Sequence, residues 1–413
     1  MFTTTTEPGP VAPEDIDLFP VELYRSGDPH AAWHTLRAEA PIWRQIAPDG
    51  TEFWSVHRYQ DVVDVLRDTA RFSSTYSTML TVLGDGDSAR DKAIHLMDPP
   101  RHGMVRGRTI STLSMRVMRE QEQAVRARIG GLVASAVAQD ECDFAAVAAG
   151  LPMAVAGEVL GIPEELWPET TRWTVASMAP EDPAYTVGDA RSTLMEAHVF
   201  LMTVFQDLIA ERRARPRQDL ITRLTEIVID DRPITDDEVV LNCYAFLMGA
   251  NPTVPQSAAH FVLAMAQDEK LWQQARTEPN LIPGLVEETL RWSSPVNHLL
   301  RRTTEEVRWG DEVIPAGGLV AAWLASANRD ESVFADPYVF DPSREPNPHV
   351  AFGFGAHRCI GNSAAQFGLR LLIEEVTQRV ESVEQVGEVR HLASNFLNGI
   401  TSLPVHMRPA GSM

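Results

Sequence analysis

The sequence of 413 residues is poor in cysteine, in positive charge and in long apolar runs. Its three cysteines, Cys142, Cys243 and Cys359, are too few for a disulfide framework and fit a reducing compartment. With 36 Lys and Arg against 57 Asp and Glu, the formal charge of -21 argues against binding to nucleic acid or to anionic membranes. The N-terminus has no positive segment followed by an apolar run, and no stretch approaches the roughly 20 apolar residues that span a bilayer. We therefore expect a cytoplasmic protein that contacts neither nucleic acid nor membrane.

The hydrophobic pattern predicts a mainly helical α+β fold with small sheets. Helical spacing is clear over residues 117–139 and 187–214, whereas strand-like runs occupy residues 52–56, 307–314 and 318–322. Residues 73–100 and 178–189 lack regular signals, which is typical of lids and binding loops. We find no internal repeat and no linker, so we expect a flexible segment at 1–14 followed by one domain over 15–410.

A long apolar helix is predicted to begin at Thr235, because Thr235 and Glu238 have the spacing of a capping box. The run that follows carries almost no charge, so we expect this helix to be buried on all sides. Pro252 and Pro255 each remove a backbone hydrogen bond from it. Since the apolar pattern resumes after them, we predict one continuous but distorted helix beside a site.

The segment around Cys359 carries the most chemical information. Gly353, Gly355 and Gly361 allow tight turns and close approach to a flat partner, and a helix is predicted directly afterwards over residues 361–379. A cysteine at such a helix N-terminus meets free N–H groups, which favour the thiolate. A single thiolate in a glycine-rich loop suits a haem iron, although a lone cysteine in a tight loop is more often simply buried.

This loop resembles the haem-binding loop FGxGxHxCxG of the cytochrome P-450 family, matched by Phe352, Gly353, Gly355, His357, Cys359 and Gly361. The resemblance extends over most of the chain through three more matches in the family's order. It implies one mainly helical domain around haem b, with Cys359 as the iron ligand and Phe352, Gly353 and Gly361 against the haem. It also implies that the irregular residues 73–100 lie over the distal pocket and that residues 170–190 form a lid.

The three further matches imply roles for charged residues. Glu288 and Arg291 resemble the family's ExxR pair, which forms a buried network behind the haem loop. His102 and Arg106 share one helix face and, with Arg301 and His357, would bind the haem propionates, which are costly to bury unpaired. Arg302 is adjacent to Arg301, but the family's position favours Arg301.

The distal helix departs from the family pattern. Where an acidic residue followed by Thr is usual, the sequence reads Asn251-Pro252-Thr253, so the acid is missing. We expect Thr253, Asn251 and ordered water to deliver protons during dioxygen activation, unless Thr253 merely packs. By resemblance, the residues expected to line the substrate cavity are Ala245, Gly249, Val296, Asn297, His298, Phe396 and Leu397.

An external electron donor is implied, since no flavin- or nicotinamide-binding segment is visible. Residues 101–130 contain seven arginines (101, 106, 108, 116, 119, 126 and 128) and two glutamates, a local charge of +5. In the family this region lies on the proximal face, where an acidic ferredoxin docks, although an ordinary solvated helix face has nearly the same pattern.

The sequence therefore predicts a monomeric haem-thiolate oxidoreductase that hydroxylates or epoxidises a small molecule. The substrate is expected to be a secondary-metabolite scaffold, a polyketide or peptide, free or tethered to a carrier protein. One alternative is oxidative coupling or cyclisation of an aromatic substrate by the same haem. A second, from another class, is a haem protein that binds a ligand without turnover.

Overall fold

The computed structural model describes residues 8–26, 29–84 and 86–411, and its helices account for most of the regular structure. Residues 1–7 of the predicted flexible segment lie outside the described residues. Numbered in chain order, the α-helices are α1 (Glu22–Arg25), α2 (Pro29–Glu39), α3 (Tyr59–Arg67), α4 (Arg101–Thr109), α5 (Met115–Glu120), α6 (Glu122–Val137), α7 (Phe144–Ala149), α8 (Leu151–Leu160), α9 (Trp167–Met178), α10 (Ala190–Ala214), α11 (Leu220–Thr225), α12 (Asp236–Ala250), α13 (Val254–Gln267), α14 (Glu269–Thr277), α15 (Ile282–Ser293), α16 (Leu324–Ala327) and α17 (Asn362–Arg379).

The strands form small sheets at the edges of the helical body. They are β1 (Ile42–Ile46), β2 (Glu52–Val56), β3 (Phe72–Ser73), β4 (Cys142–Asp143), β5 (Val228–Ile229), β6 (Arg232–Pro233), β7 (His298–Thr303), β8 (Val307–Trp309), β9 (Glu312–Ile314), β10 (Leu319–Trp323), β11 (Val380–Gln385), β12 (Arg390–His391), β13 (Ile400–Ser402) and β14 (Pro404–Pro409). The largest sheet has the order β1-β2-β10-β7-β3, in which β2 and β10 are parallel and the other pairs antiparallel. The mainly helical fold with small sheets is as predicted.

The predicted elements are recovered with shifted boundaries. The helix expected over 117–139 is divided at Gln121 into α5 and α6, and the strand-like run 307–314 is the hairpin of β8 and β9. In the described part of residues 73–100, the regular structure consists of Phe72–Ser73 at the start and the 3-10 turn Ile94–Leu96. The expected lid over 170–190 is built from the end of α9, a loop and the start of α10.

The apolar helix after Thr235 begins with the predicted capping box but ends sooner than expected. The side chain of Thr235 accepts from the Glu238 N–H, and the Glu238 carboxylate accepts from the Thr235 N–H. α12 stops at Ala250, and α13 starts at Val254 with Pro255 in its first turn, where a missing N–H is harmless. The prediction of one continuous helix is therefore wrong, because a three-residue turn separates α12 from α13. Burial on all sides is also wrong, since one side of α12 lines a cavity.

Within the part of the chain that the structure describes, one helix meets the length and hydropathy criteria for a membrane span. This helix, α10, has 25 residues, and 39% of its most apolar window is buried. Its inward residues, Leu201 and Phe205, are fully buried, and it packs against α9 and α12. The core helix of a soluble protein passes the same criteria, so α10 is weak evidence for a membrane.

Candidate active site

The loop before α17 presents Cys359 to an internal cavity of about 300 Å³. Gly353 and Gly355 have φ of +68° and +70°, and a Cβ on Gly355 would lie 2.7 Å from the Leu66 carbonyl oxygen. Both positions therefore require glycine. The Cys359 N–H donates to the Phe352 carbonyl over 2.8 Å, which closes the loop and directs the sulfur to the cavity wall.

The helix terminus favours the thiolate as expected, but burial acts more strongly in the opposite direction. Burial raises the pKa of the Cys359 thiol, and this outweighs the lowering by the Gly361 N–H and by Arg106 and Arg358. The sulfur therefore needs a bound cation, such as a metal, to be held as thiolate at neutral pH.

Three basic side chains line one corner of the cavity, and the buried Arg301 guanidinium lies near enough to lower the pKa of two of them, His102 and His357. The His102 and His357 rings lie 3.9 Å apart between centroids, and His102, Arg106 and His357 all line the cavity. Arg301 is 3% exposed, and among the described residues its guanidinium donates only to the Leu300 carbonyl. Arg302 is exposed, so the structure agrees with the choice of Arg301 as the inward residue.

In the part of the chain that the structure describes, no carboxylate lines the cavity beside these groups. Burial lowers the pKa of Arg301 to about 10, partly offset by the Asp98 carboxylate. Burial, with Arg106 nearby, lowers the pKa of His102 to about 4. The Nε2 atom of His357 is buried without a hydrogen-bond partner among the described residues. The described lining contains no Asp or Glu, so carboxylates supplied by a ligand would complete this corner.

Behind the loop, Glu288 and Arg291 form a fully buried ion pair on α15. Arg291 donates to both Glu288 oxygens, over 2.6 and 2.8 Å, and to the carbonyls of Asn328, Pro337 and Val339. The Asn328 side chain accepts from the Val350 N–H, directly before the cysteine loop. This network ties α15 to the segment that leads into the loop.

α12 and the turn after it form the opposite wall. Thr253 lines the cavity, and its hydroxyl donates to the Gly249 carbonyl over 2.7 Å. Asn251 does not line it: its side chain is fully buried and donates to Thr171 of α9 over 3.4 Å. The prediction that Asn251 offers an amide to the cavity is therefore wrong, because the turn at Pro252 directs the Asn251 side chain toward α9.

The predicted substrate contacts are partly correct. Ala245, Gly249, Val296 and Phe396 line the cavity, whereas Asn297, His298 and Leu397 do not. Asn297 donates to the Asn395 carbonyl, and His298 Nε2 accepts from the Leu80 N–H. Leu397 is fully buried and bridges to Val296.

Several lining residues were not singled out by sequence reasoning: Thr78, Met79, His95, Met178 and Val254. The first three lie in residues 73–100 and Met178 lies in residues 170–190, both expected over the pocket, so these four had a regional signal. No feature of the sequence indicates which side chains of these segments point into the cavity.

The pocket thus fits a large flat cofactor with two carboxylates, because it combines a thiol on one wall, cations at one corner and apolar side chains elsewhere. Fold and site together define a haem-thiolate class of enzyme. The family described as Cytochrome P450 matches residues 165–401, more than half of the chain. Linalool 8-monooxygenase of Pseudomonas putida is 32% identical over 95% of this chain and 99% of its own. The chain belongs to the cytochrome P450 family, and its cofactor is haem b.

Solved structures agree with this assignment. P450 OxyD, which is involved in the biosynthesis of vancomycin-type antibiotics, has a TM-score of 0.86 and 31% identity, covering 96% of this chain and all of its own. P450BioI, solved with a fatty-acyl-ligated acyl carrier protein, has a TM-score of 0.82 and 25% identity, covering 94% of this chain and all of its own. The enzyme is a monooxygenase of this family.

Proposed function

We propose that Cys359 holds haem b and that the enzyme hydroxylates or epoxidises a small, largely apolar molecule in the cavity. The observation that carries this proposal is the cavity itself, where the sulfur faces an apolar chamber and the corner formed by Arg301, His102, Arg106 and His357 lacks anions. Haem bound there supplies dioxygen activation. The chain binds the propionates at that corner, and Phe352, Gly353 and Gly361 approach the haem from the loop.

The absorption spectrum of the reduced protein with carbon monoxide tests the ligand. We expect a strongly red-shifted Soret band in the wild type that is lost in Cys359→His. Cys142→Ser is the matched control, because Cys142 is a free cysteine in β4 that does not line the cavity. A folded, haem-loaded wild type without the band would overturn Cys359 as a thiolate ligand.

Substrate binding is assigned to the apolar wall. Ala245, Gly249, Val296 and Phe396 surround the space between α12, β7 and the C-terminal loops, and they exclude water from the substrate. Thr253 is the group that we propose to hold a proton at its hydroxyl, with ordered water in place of the missing acid. The related linalool enzyme and OxyD support a terpenoid or secondary-metabolite substrate, and P450BioI supports one tethered to a carrier protein.

Oxidative coupling is the second candidate, because Pro252 stands where the family usually has an acid and a coupled product need not keep oxygen. Product formed under labelled dioxygen separates the two, since label in the product excludes simple coupling. The third reading, a haem protein without turnover, predicts no substrate-dependent product with any electron donor.

A ferredoxin is proposed to dock beside the cysteine loop, in a monomeric, cytoplasmic enzyme. Several arginines of the basic segment already have partners within the protein. Arg101 pairs with Glu238, and Arg128 pairs with Glu158. Arg126 pairs with Glu122, Glu374 and Glu375, and Arg106 donates to the Arg358 carbonyl. The exposed Arg108, Arg116 and Arg119 remain for a partner, with Arg116 only 3.9 Å from the exposed Glu120. Exposed Met104, Ile110 and Met115 lie among them, which gives the surface the mixed apolar and basic character of a transient interface.

Charge reversal tests this surface. We expect Arg116→Glu with Arg119→Glu to slow reduction by an acidic ferredoxin at low salt and to flatten its salt dependence. Arg223→Glu is the control, because Arg223 is 58% exposed on α11, outside the basic segment. Equal reduction rates in the double variant and the control would exclude docking at this surface.

A further inference from the structure

The cavity has a polar side chain that neither cofactor binding nor proton delivery uses. Cys359, the basic residues His102, Arg106 and His357, and Thr253 already have proposed roles. The described lining contains two further clearly polar side chains, Thr78 and His95. His95 is the larger of the two. Burial of its Nδ1 without a hydrogen-bond partner among the described residues leaves the imidazole with unmet hydrogen-bonding capacity.

His95 is held firmly in place. It is the central residue of the 3-10 turn Ile94–Leu96, whose outer residues are buried on either side of it. The Ile94 N–H donates to Asn242 Oδ1 of α12 over 2.9 Å, and Asn242 Nδ2 donates to the carbonyls of Lys92 and Glu238. The turn is therefore fastened to α12, and a side chain on such a support can position a ligand group precisely.

The protonation state of His95 selects the kind of group that it can bind. Burial lowers the pKa of His95 to about 4, with Asp87 acting against this and Arg301 reinforcing it. At neutral pH the ring is uncharged and offers one donor and one acceptor. A carboxylate substrate would gain no ion pair from the uncharged ring, so an uncharged oxygen group is the better partner.

We propose that His95 hydrogen-bonds a hydroxyl or carbonyl group of an otherwise apolar substrate and thereby fixes which part of the substrate faces the haem. His95 is a positioning and specificity residue under this proposal, which rests on the proposed function. The rest of the substrate contacts the apolar wall, where a single fixed polar contact has the greatest effect on orientation.

Binding of iron-ligating probes tests this without turnover. 4-Phenylimidazole and its ortho, meta and para hydroxyphenyl analogues are titrated spectrally into haem-loaded wild type, His95→Phe, His95→Gln and His198→Phe. His198 is the matched control, because the Asp87 charge acts on its pKa as well, whereas its side chain does not line the cavity. We expect at least one hydroxyl isomer to bind the wild type roughly 2- to 12-fold more tightly than the parent, the range of one net hydrogen bond.

That preference should disappear in His95→Phe, persist in His198→Phe and return in part in His95→Gln. A wild type with no hydroxyl preference, or a preference that survives in His95→Phe, would overturn the proposal. Loss of haem from His95→Phe would also overturn it, because His95 would then hold the cofactor instead. The carbon monoxide spectrum of the wild type is recorded on the same samples, so failure of the thiolate assignment is seen separately.

Discussion

Removing the charge of Glu288 should be among the most damaging single changes to this protein. Glu288 and Arg291 both have fully buried side chains, and the carboxylate also accepts from the Asp341 N–H and from Asn347 Nδ2, over 2.9 and 3.0 Å. Glu288→Gln preserves the size of the side chain but leaves the Arg291 guanidinium buried without its main counter-charge. Breaking one partner of a buried ion pair costs about 3–5 kcal/mol of unfolding free energy.

A matched surface pair separates this effect from a general effect of charge. Glu22 and Arg25 have the same three-residue spacing, but their side chains are 57% and 44% exposed. Glu22→Gln should therefore cost no more than about 1 kcal/mol. The assay is urea unfolding of the haem-loaded proteins, followed by the helical circular dichroism signal and by haem absorbance.

The two variants should differ clearly in the urea midpoint, and haem release should coincide with unfolding in Glu288→Gln. Arg344, which lies 3.4 Å from Glu288, is a second cation that also loses its partner. Unfolding free energies of the two variants within 1 kcal/mol of each other would refute the view that this pair holds the loop segment in place.

Three further outcomes follow from the site. Arg301→Met should weaken haem retention about 10-fold or more, because charge-assisted hydrogen bonds to the haem are lost. Arg302→Met should not, since Arg302 is exposed, and equal haem release from the two variants would contradict the assignment of Arg301. His298 is fully buried with a pKa lowered to about 3 by burial, so the unfolded state binds the extra proton and stability is lost as pH falls below about 6.5 toward 3. His298→Gln should reduce the acid dependence of the unfolding free energy, measured by urea unfolding, by up to about 1.4 kcal/mol per pH unit, and an unchanged slope would argue against a neutral His298. Thr253→Ala should release more peroxide per product than the wild type, while Thr253→Ser should not, and unchanged coupling would mean that Thr253 only packs.

Much of the cysteine loop could be predicted from local sequence. Gly353 and Gly355 stand where φ is positive, and the capping box at Thr235 starts a helix as its spacing indicates. These features depend on residues a few positions apart, so their physics is contained in the sequence. The spacing of Glu288 and Arg291 likewise predicted a pair, but only the structure shows that it is fully buried.

The direction of individual side chains was decided by tertiary contacts. Within β7, Leu299 lines the cavity while the neighbouring His298 does not, because pairing of His298 with Trp323 of β10 sets the phase of the strand. The turn that carries His95 is held by Asn242, which bonds to Ile94 across 148 residues of the chain.

The sequence by itself determined the chemistry of this protein, since one thiol in a glycine-rich loop and a set of cations in fixed order already indicate haem. The tertiary structure alone decided what surrounds that chemistry. Pro252 removes a backbone hydrogen bond in any fold. Only the packing of α12 and α13 shows that the chain turns there and that the Asn251 side chain points to Thr171 of α9. Local hydrogen bonding can be inferred from neighbouring residues, whereas the lining of a cavity depends on contacts between distant segments.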